Sequence, residues 1–197
     1  DVNESIRTAK ALADNFGISI EEAYNLMAQG AQKGLDKNGD MLDTLNEYAV
    51  HYSQLGYTVE DFFGSLENGA ASGAFSIDKI GDTMKEFGIR VKDTSTSTQE
   101  AFQLLGYTGD SIADMQAKFA AGGESAREAT SELLGQLQNV EDDVTRNQIG
   151  VDLFGTMWED LGEEAVYSLM NTQTELSKTT DAIGQLNDVK YDDVMSQ

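Results

Sequence analysis

The amino-acid sequence predicts an all-α protein, a multi-helix module of helical hairpins with a 39-residue internal repeat and no sheet. Three observations lead to this fold class. The 197 residues include no proline, the residue that most strongly disrupts helix interiors. Apolar residues recur at alternating spacings of three and four, which places them on one face of a helix. Finally, a segment near the amino terminus recurs 39 positions later along the chain.

The repeat is visible without gaps when residues 17–48 are aligned with residues 56–87. Eight of the 32 aligned positions are identical: Gly17/Gly56, Glu21/Glu60, Gly30/Gly69, Ala31/Ala70, Gly34/Gly73, Asp43/Asp82, Thr44/Thr83 and Glu47/Glu86. Segments that repeat at such a period are usually supersecondary units whose apolar faces are buried only against a neighbouring unit. We therefore expect each copy to contribute a pair of helices to one shared core.

Each copy is predicted to consist of a short helix followed by a second helix. In the first copy the apolar stripes are Ile20, Ala23, Met27 and Ala31, then Met41, Leu45, Tyr48, Tyr52 and Leu55. In the second copy they are Val59, Phe62, Leu66 and Ala70, then Ile77, Ile80, Met84, Phe87 and Val91. Three later stripes are Ile112, Met115 and Phe119, then Ala126, Ala129, Leu133, Leu137 and Val140, then Leu161, Ala165 and Leu169.

The helix boundaries are marked by capping residues and glycines. Three pairs have the spacing of a capping box, Ser19 with Glu22, Thr58 with Asp61 and Ser97 with Glu100. Seven glycines are predicted to end helices, Gly17, Gly34, Gly56, Gly73, Gly88, Gly106 and Gly122. These boundaries indicate many short helices instead of one long rod.

The domain organisation follows from the repeat and from one polar tract. Residues 1–92 are predicted to form a duplicated helical-pair module, with repeat units at about 17–55 and 56–92. The tract 93–98 is a predicted polar linker, residues 99–170 a second helical subregion, and residues 171–197 an exposed helical segment that leads to the rest of a longer chain. Because the sequence begins at Asp1 and not with Met, we expect it to be part of something longer.

Composition excludes several classes of function. The net charge of −22 predicts a surface that repels nucleic acid, so direct high-affinity DNA binding is not expected. No apolar run reaches the length needed for a transmembrane segment. The chain has no cysteine, which excludes disulfides, a thiol nucleophile and thiolate metal ligands.

One loop invites a calcium-binding interpretation. Asp36, Asn38, Asp40 and Glu47 match positions 1, 3, 5 and 12 of an EF-hand loop, which supplies oxygen ligands to calcium. However, Met41 occupies position 6, where the sharp turn requires glycine, and the second copy of the repeat lacks the early ligands. A turn and helix cap at this loop is the preferred reading, and a calcium-responsive helical binding module is the alternative.

Catalysis has little support in the sequence. His51 is the only histidine, and we expect it to be a surface or half-buried side chain. Glu159 and Asp160 could in principle cleave glycosides, but a chain with 35 acidic residues contains such pairs by chance. The spacings Gly30 to Gly34 and Gly69 to Gly73 favour close helix packing over a phosphate loop. No catalytic, cofactor-binding or metal-ligating residue is therefore assigned.

Several ordered motifs together resemble one protein family. The doubled Asp-x-x-x-Glu-aromatic element occurs at Asp43 to Tyr48 and at Asp82 to Phe87. Gly122-Gly123-Glu124 follows, and then the run from Leu153 to Gly162, which reads Leu-Phe-Gly-Thr-Met-Trp-Glu-Asp-Leu-Gly. This order resembles the shared helical region of tail tape measure proteins of long-tailed bacteriophages and prophages, from about Leu12 to Leu169.

The resemblance implies a structural, non-enzymatic role. Tape measure proteins occupy the lumen of the growing phage tail, set its length and leave ahead of the DNA. The implied partners are the tail-tube protein, tail-assembly chaperones and tail-tip proteins. The implied locations are the lumen of the virion's tail and, during assembly, the host cytoplasm. In this interpretation Asp43, Glu47, Asp82 and Glu86 serve helix capping or hydrogen bonds between helices.

Overall fold

The computed structural model describes residues 2–74 and 76–185, and the regular secondary structure of these residues is helical, with no strand. The all-α prediction is therefore confirmed for the described part of the chain. The helices in chain order are α1 Val2–Phe16, α2 Ile20–Gln32, α3 Met41–Gln54, α4 Val59–Ala71, α5 Ile77–Arg90, α6 Thr96–Leu104, α7 Asp110–Ala121, α8 Gly123–Gln138, α9 Asp143–Phe154, α10 Thr156–Leu161 and α11 Glu163–Tyr167. A 3₁₀ turn, Ser168–Met170, ends this series.

Helices α1, α3 and α5 lie side by side in one layer and run in the same direction. The Thr8 hydroxyl donates to the Leu42 carbonyl oxygen at 3.1 Å, and the Ser53 hydroxyl donates to the Asn15 carbonyl oxygen at 2.7 Å. The first contact joins the start of α3 to the middle of α1, and the second joins the carboxyl-terminal ends of both helices, so the two helices are parallel. The predicted stripes of α3 and α5 form the centre of this layer, since every residue of both stripes is buried.

Helices α2 and α4 form a second layer, with α2 against α1 and α4 against α5. The buried face of α2 consists of Ala23, Leu26, Met27 and Gly30 together with the polar residues Asn25 and Gln29. The predicted stripe of α2 is wrong at both ends, because Ile20 is 46% exposed where the helix begins and Ala31 is exposed in its last turn. Both α2 and α4 start with the predicted capping boxes, Ser19 with Glu22 and Thr58 with Asp61. Whether the two helix pairs form a structural repeat stays a prediction.

The core continues into the carboxyl-terminal helices. The Phe87 ring of α5 stacks on the Phe154 ring of α9 with 5.0 Å between the ring centroids. Helix α9 also packs against α6, and α7 packs against α8. The glycines Gly122 and Gly123 bring the start of α8 against the end of α3, close to Gly56. One cluster of buried side chains therefore runs from Ala9 to Leu176.

The polar tract 93–98 contains the start of a helix. Ser95 caps α6 by accepting from the Thr98 backbone N–H, so the predicted cap at Ser97 is wrong by two residues. The reason is visible at Asp93, whose carboxylate accepts from the Ser95 backbone N–H and hydroxyl and fixes the turn there. The division of the chain at this tract into two subregions stays a prediction.

The carboxyl-terminal segment differs from its prediction. Residues 171–181 are not helical, and part of this stretch is buried, including Leu176 at 4% exposure. We call residues 171–183 the strap, because they cross α2 and α4 and are bound to both helices. The predicted exposed helix is therefore wrong over 171–181, and residues 186–197 of that prediction lie outside the described residues.

Candidate functional site

The acidic loop before α3 has the geometry of a turn that leads into a helix. The Asp36 carboxylate accepts from the backbone N–H of Met41 at 3.2 Å, which supports the first turn of α3. The Glu47 carboxylate lies 3.3 Å from the Lys85 ammonium on α5. Burial raises the pKa of the Asp40 carboxyl, whose Oδ1 has no hydrogen-bond partner among the described residues. In residues 2–74 and 76–185 no three His, Asp or Glu side chains converge as metal ligands, and the calcium alternative stays a hypothesis.

The acidic residues of the doubled motif lie mainly at the interface between α3 and α5. Lys85 lies 3.3 Å from Glu47 and 3.9 Å from Asp82, so one ammonium faces both copies of the motif. Glu86 pairs with Arg90 at 3.3 Å, one turn later on α5, while Asp43 is exposed. The side chains of these ion pairs are partly exposed to solvent, and pairs near a protein surface contribute about 0–1 kcal/mol each.

Arg90 connects α5 to α9, a role that no sequence pattern predicted. Its Nη1 donates to the Asp152 carbonyl oxygen at 3.3 Å, and its guanidinium packs beside Gly155. Carbonyl groups at a helix carboxyl terminus carry partial negative charge, so a guanidinium is favourable there. The backbone oxygen of Arg90 also accepts from the Thr98 hydroxyl at 3.1 Å. This arginine joins three helices through hydrogen bonds.

The segment from Leu153 to Gly162 forms a tight junction between α9 and α10. The Trp158 ring covers Gly150, where an added Cβ would stand 2.1 Å from the ring. The indole Nε1 donates to the Asn147 side-chain oxygen at 2.8 Å. Trp158 is 4% exposed and belongs to the main cluster of buried side chains. The junction is thus built from packing and one partly buried indole hydrogen bond.

An open pocket of about 630 Å³ lies between α9 and α11. Its central side chain, Arg146, donates from Nε to Glu163 at 2.8 Å and from Nη2 to Asp143 at 2.6 Å. Its Nη1 donates to the Val140 carbonyl oxygen at 2.7 Å, so each guanidinium nitrogen is engaged. Glu159, at the rim of this pocket, is exposed. The pocket offers a paired guanidinium and a solvated carboxylate, an arrangement that does not resemble a catalytic dyad.

His51 lies half-buried on α3, as expected from the sequence. Burial lowers the pKa of this imidazole below its usual value of 6.5, and the ammonium groups of Lys85 and Lys92 lower it further. The carboxylates of Glu47 and Asp82 act in the opposite direction on the same pKa. The ring lies 6.4 Å from the Tyr48 ring between their centroids, a packing contact.

The predicted glycine pairs have two separate tasks. Gly30 and Gly69 permit close packing, because an added Cβ would stand 3.0 Å from Phe63 and 2.4 Å from Ile80, respectively. Gly34 and Gly73 have positive φ angles of +87° and +98° and terminate α2 and α4. Only the first glycine of each pair therefore supports the helix-packing interpretation.

Sequence missed the polar surface that binds the strap. Asn25 and Gln29, on α2, are 5% and 7% exposed, although both are amides on an otherwise apolar face. One pattern in the sequence could have indicated this surface, namely two amides spaced four residues apart on the helix face that also carries Leu26, Met27 and Gly30.

None of the helices within the described ranges is long and apolar enough to cross a membrane.

Comparison with known proteins places this helical module in context. The model of the family described as phage-related minor tail protein matches residues 1–155. A protein of Streptomyces phage phiC31 named "Probable tape measure protein" is 30% identical over 143 residues, which is 73% of this chain and 19% of that protein. The chain thus spans about a fifth of the length of this relative. No solved structure matches the chain.

Proposed function

The chain belongs to the family of phage-related minor tail proteins, and from this premise we propose that it is a structural module of a tail tape measure protein. In this proposal it acts in tail assembly and in tail-length determination, and it leaves the tail ahead of the DNA during ejection. Its proposed partners are the tail-tube protein, tail-assembly chaperones and tail-tip proteins. Its proposed locations are the tail lumen of the virion and, earlier, the host cytoplasm.

One observation carries this proposal beyond family membership. The described helices share a single core, from Ala9 in α1 to Leu176 in the strap, and the segment is therefore compact. A continuous helix of 197 residues would instead extend roughly 300 Å, at about 1.5 Å per residue. We propose that this module works through protein contacts and contributes little length of its own, while extended parts of the longer chain act as the ruler.

The experiment is an in-frame duplication of the segment within a phage tape measure gene, with tail length measured by electron microscopy. A matched control inserts a continuous helix of the same number of residues at the same position. We expect the helix to lengthen the tail by up to roughly 300 Å and the duplicated module to lengthen it much less. Equal lengthening by both insertions would contradict the compact role. Normal tails after deletion of the segment would contradict a role in assembly.

We also propose that the module has no enzymatic activity. The carboxylates of Glu159 and Asp160 are exposed, and the pocket beside Glu159 contains a guanidinium that is already paired. The test is a zymogram on bacterial cell walls with the native chain and with Glu159→Gln and Asp160→Asn variants. Clearance by the native chain that either substitution abolishes would establish a hydrolase and refute this proposal.

The acidic surface supports a passive relation to DNA. With a net charge of −22 the chain repels the phosphate backbone, so DNA passing through the tail would not adhere to it. We expect no shift of a labelled DNA duplex in an electrophoretic assay at 150 mM salt. A shift that weakens steeply with added salt would show phosphate binding and contradict this part of the proposal.

A further inference from the structure

The strap lies in a groove between α2 and α4 that holds it mainly through its backbone. The Gln29 side-chain amide donates to the Ser177 carbonyl oxygen at 2.7 Å and accepts from the Ser177 backbone N–H at 3.1 Å. One amide therefore satisfies both backbone groups of a single strap residue. Because these bonds involve no side chain of the strap, they are available to any extended peptide.

A second amide, on the other wall of the groove, also binds backbone groups of the strap. The Asn68 side-chain nitrogen, on α4, donates to the carbonyl oxygens of Asn171 and Gln173 at 2.8 and 2.9 Å. The Asn25 side-chain oxygen, on α2, accepts from the Ile183 backbone N–H at 3.3 Å. Both helices thus present amide side chains to an extended chain between them.

The floor of the groove is shaped for close approach of a main chain. A Cβ added to Gly64, on α4, would stand 2.2 Å from the Thr172 carbonyl oxygen. Any larger residue at this position would therefore displace the strap. Helical glycine here fits a site whose ligand is a polypeptide backbone.

Two strap side chains give the site sequence preference. The Thr174 hydroxyl donates to the Glu67 carboxylate at 2.6 Å, and Leu176 is buried at 4% exposure. Extended peptides that carry a hydroxyl residue two positions before an apolar residue would reproduce both contacts. The ion pair between Lys33 and Glu175 is largely exposed, so it adds little to the affinity.

The strap can leave the groove without disruption of the layer formed by α1, α3 and α5. Its attachment consists of hydrogen bonds to α2 and α4, with Leu176 and Ala182 as its buried apolar side chains. Segments with few buried apolar contacts open at lower free energy than the core of the same protein. Opening would expose an amide-lined groove that is already formed.

We propose that the groove between α2 and α4 is a binding site for an extended polypeptide, and that the strap is its intramolecular occupant. The incoming ligand is an extended segment with the Thr-x-Leu pattern of residues 174–176. The strap blocks this ligand while it is seated and admits it when released. All residues of this binding site belong to the chain itself, and the proposal does not depend on the family to which the chain belongs. Peptide binding can therefore be tested on the isolated chain.

The test uses a fluorescein-labelled peptide that copies residues 171–183 and fluorescence anisotropy with the complete 197-residue chain. The variant Leu176→Asp removes the strap's buried anchor and leaves the groove unchanged. We expect it to bind the peptide at least about tenfold more tightly than the native chain, because a competing occupant lowers apparent affinity. Circular dichroism of both chains confirms that the helices are retained.

Two further substitutions in the Leu176→Asp chain examine the groove itself. Gln29→Ala removes the amide that binds Ser177, and Gly64→Ala fills the floor; each should weaken peptide binding at least about tenfold. The matched controls are Gln103→Ala, at an exposed glutamine on α6, and Gly135→Ala, at a helical glycine with open space beside it. Both controls should leave the affinity unchanged. Equal affinity of the Gln29→Ala chain would overturn the proposal, as would absence of binding to every chain.

Hydrogen exchange of the native chain provides an independent measurement. The backbone N–H groups of Ser177, Lys178 and Ile183 are bonded to groove side chains, so their exchange reports release of the strap. We expect these amides to exchange faster than the amides of α3 by a factor of at least about 100. If they exchange only together with the core helices, the strap is not releasable and the proposal fails.

Discussion

The contact between α3 and α5 leads to a sharp prediction at Gly81. A Cβ added at this position would stand 2.1 Å from the Cδ2 atom of the Tyr48 ring, which is 3% exposed and cannot move into solvent. The ring is also held by its hydroxyl, which donates to the Asp78 carboxylate at 3.1 Å. Gly81→Ala should therefore force α3 and α5 apart or twist the ring out of its rotamer.

The expected loss of stability in the Gly81→Ala variant is worked out by comparison with a second glycine. Gly135, within α8, has no atom within 4 Å of an added Cβ. Alanine at either position improves helix propensity by about 0.5–1 kcal/mol, so Gly135→Ala should raise the free energy of unfolding by that amount. The difference between the two variants isolates the overpacking at Tyr48, which we expect to be about 1–3 kcal/mol.

The assay is urea unfolding followed by circular dichroism, with thermal unfolding as a second measurement. For a chain of this size, a difference of 1 kcal/mol corresponds to a shift of about 2–4 °C in the unfolding midpoint. Tyr48→Leu in the Gly81→Ala chain should recover part of the loss, because the smaller side chain leaves room for the methyl group. The reasoning is refuted if Gly81→Ala proves as stable as Gly135→Ala.

Three further predictions concern pH, a buried hydroxyl and calcium. Because the pKa of His51 is lowered in the folded chain, the unfolded chain binds more protons below pH 6.5, and the free energy of unfolding should fall on acidification. For this half-exposed ring we expect a fall of less than about 0.5 kcal/mol per pH unit. His51→Gln should reduce the slope of the free energy of unfolding against pH between pH 7 and 5.5, and an unchanged slope would contradict this origin. Tyr57→Phe removes the hydrogen bond that the hydroxyl donates to the Leu169 carbonyl oxygen at 2.8 Å. This substitution should lower the free energy of unfolding, measured in urea, by about 1–2 kcal/mol. No loss of stability would show that the bond is not made in solution. Calorimetric titration with calcium should give no dissociation constant below about 1 mM, and tighter binding that Asp36→Asn or Glu47→Gln removes would support the EF-hand alternative.

The helices could be predicted from sequence where one local pattern decided them. Ser19 with Glu22 and Thr58 with Asp61 form the predicted capping boxes because each bond joins residues within one turn. Prediction failed at Ser97, since the competing turn depends on the Asp93 carboxylate two residues before the actual cap at Ser95. Local signals thus identified the segments of α2, α3, α4, α5, α7 and α8 as helical, but they were less reliable for first residues, missed α9 and wrongly predicted a helix over 171–181.

The candidate sites depended more on contacts across the chain. Sequence spacing suggested that Asp36 and Glu47 share a ligand, but these carboxylates have separate partners in Met41 and Lys85. The helical prediction for the strap failed because few of its residues are apolar, and the residues that hold it lie more than 100 positions earlier along the chain. No periodicity within a segment can report a partner at that distance.

The sequence by itself determined the all-α class, the buried faces of α3 and α5, and the family likeness, because these depend on spacing and order along the chain. Only the tertiary structure decided which helices lie together and what the strap does. In the sequence, Gln29 is a polar residue on an otherwise apolar helix face. The structure shows that its side chain binds the backbone of Ser177. A buried amide is stable only with its partner, and that partner is set by the fold.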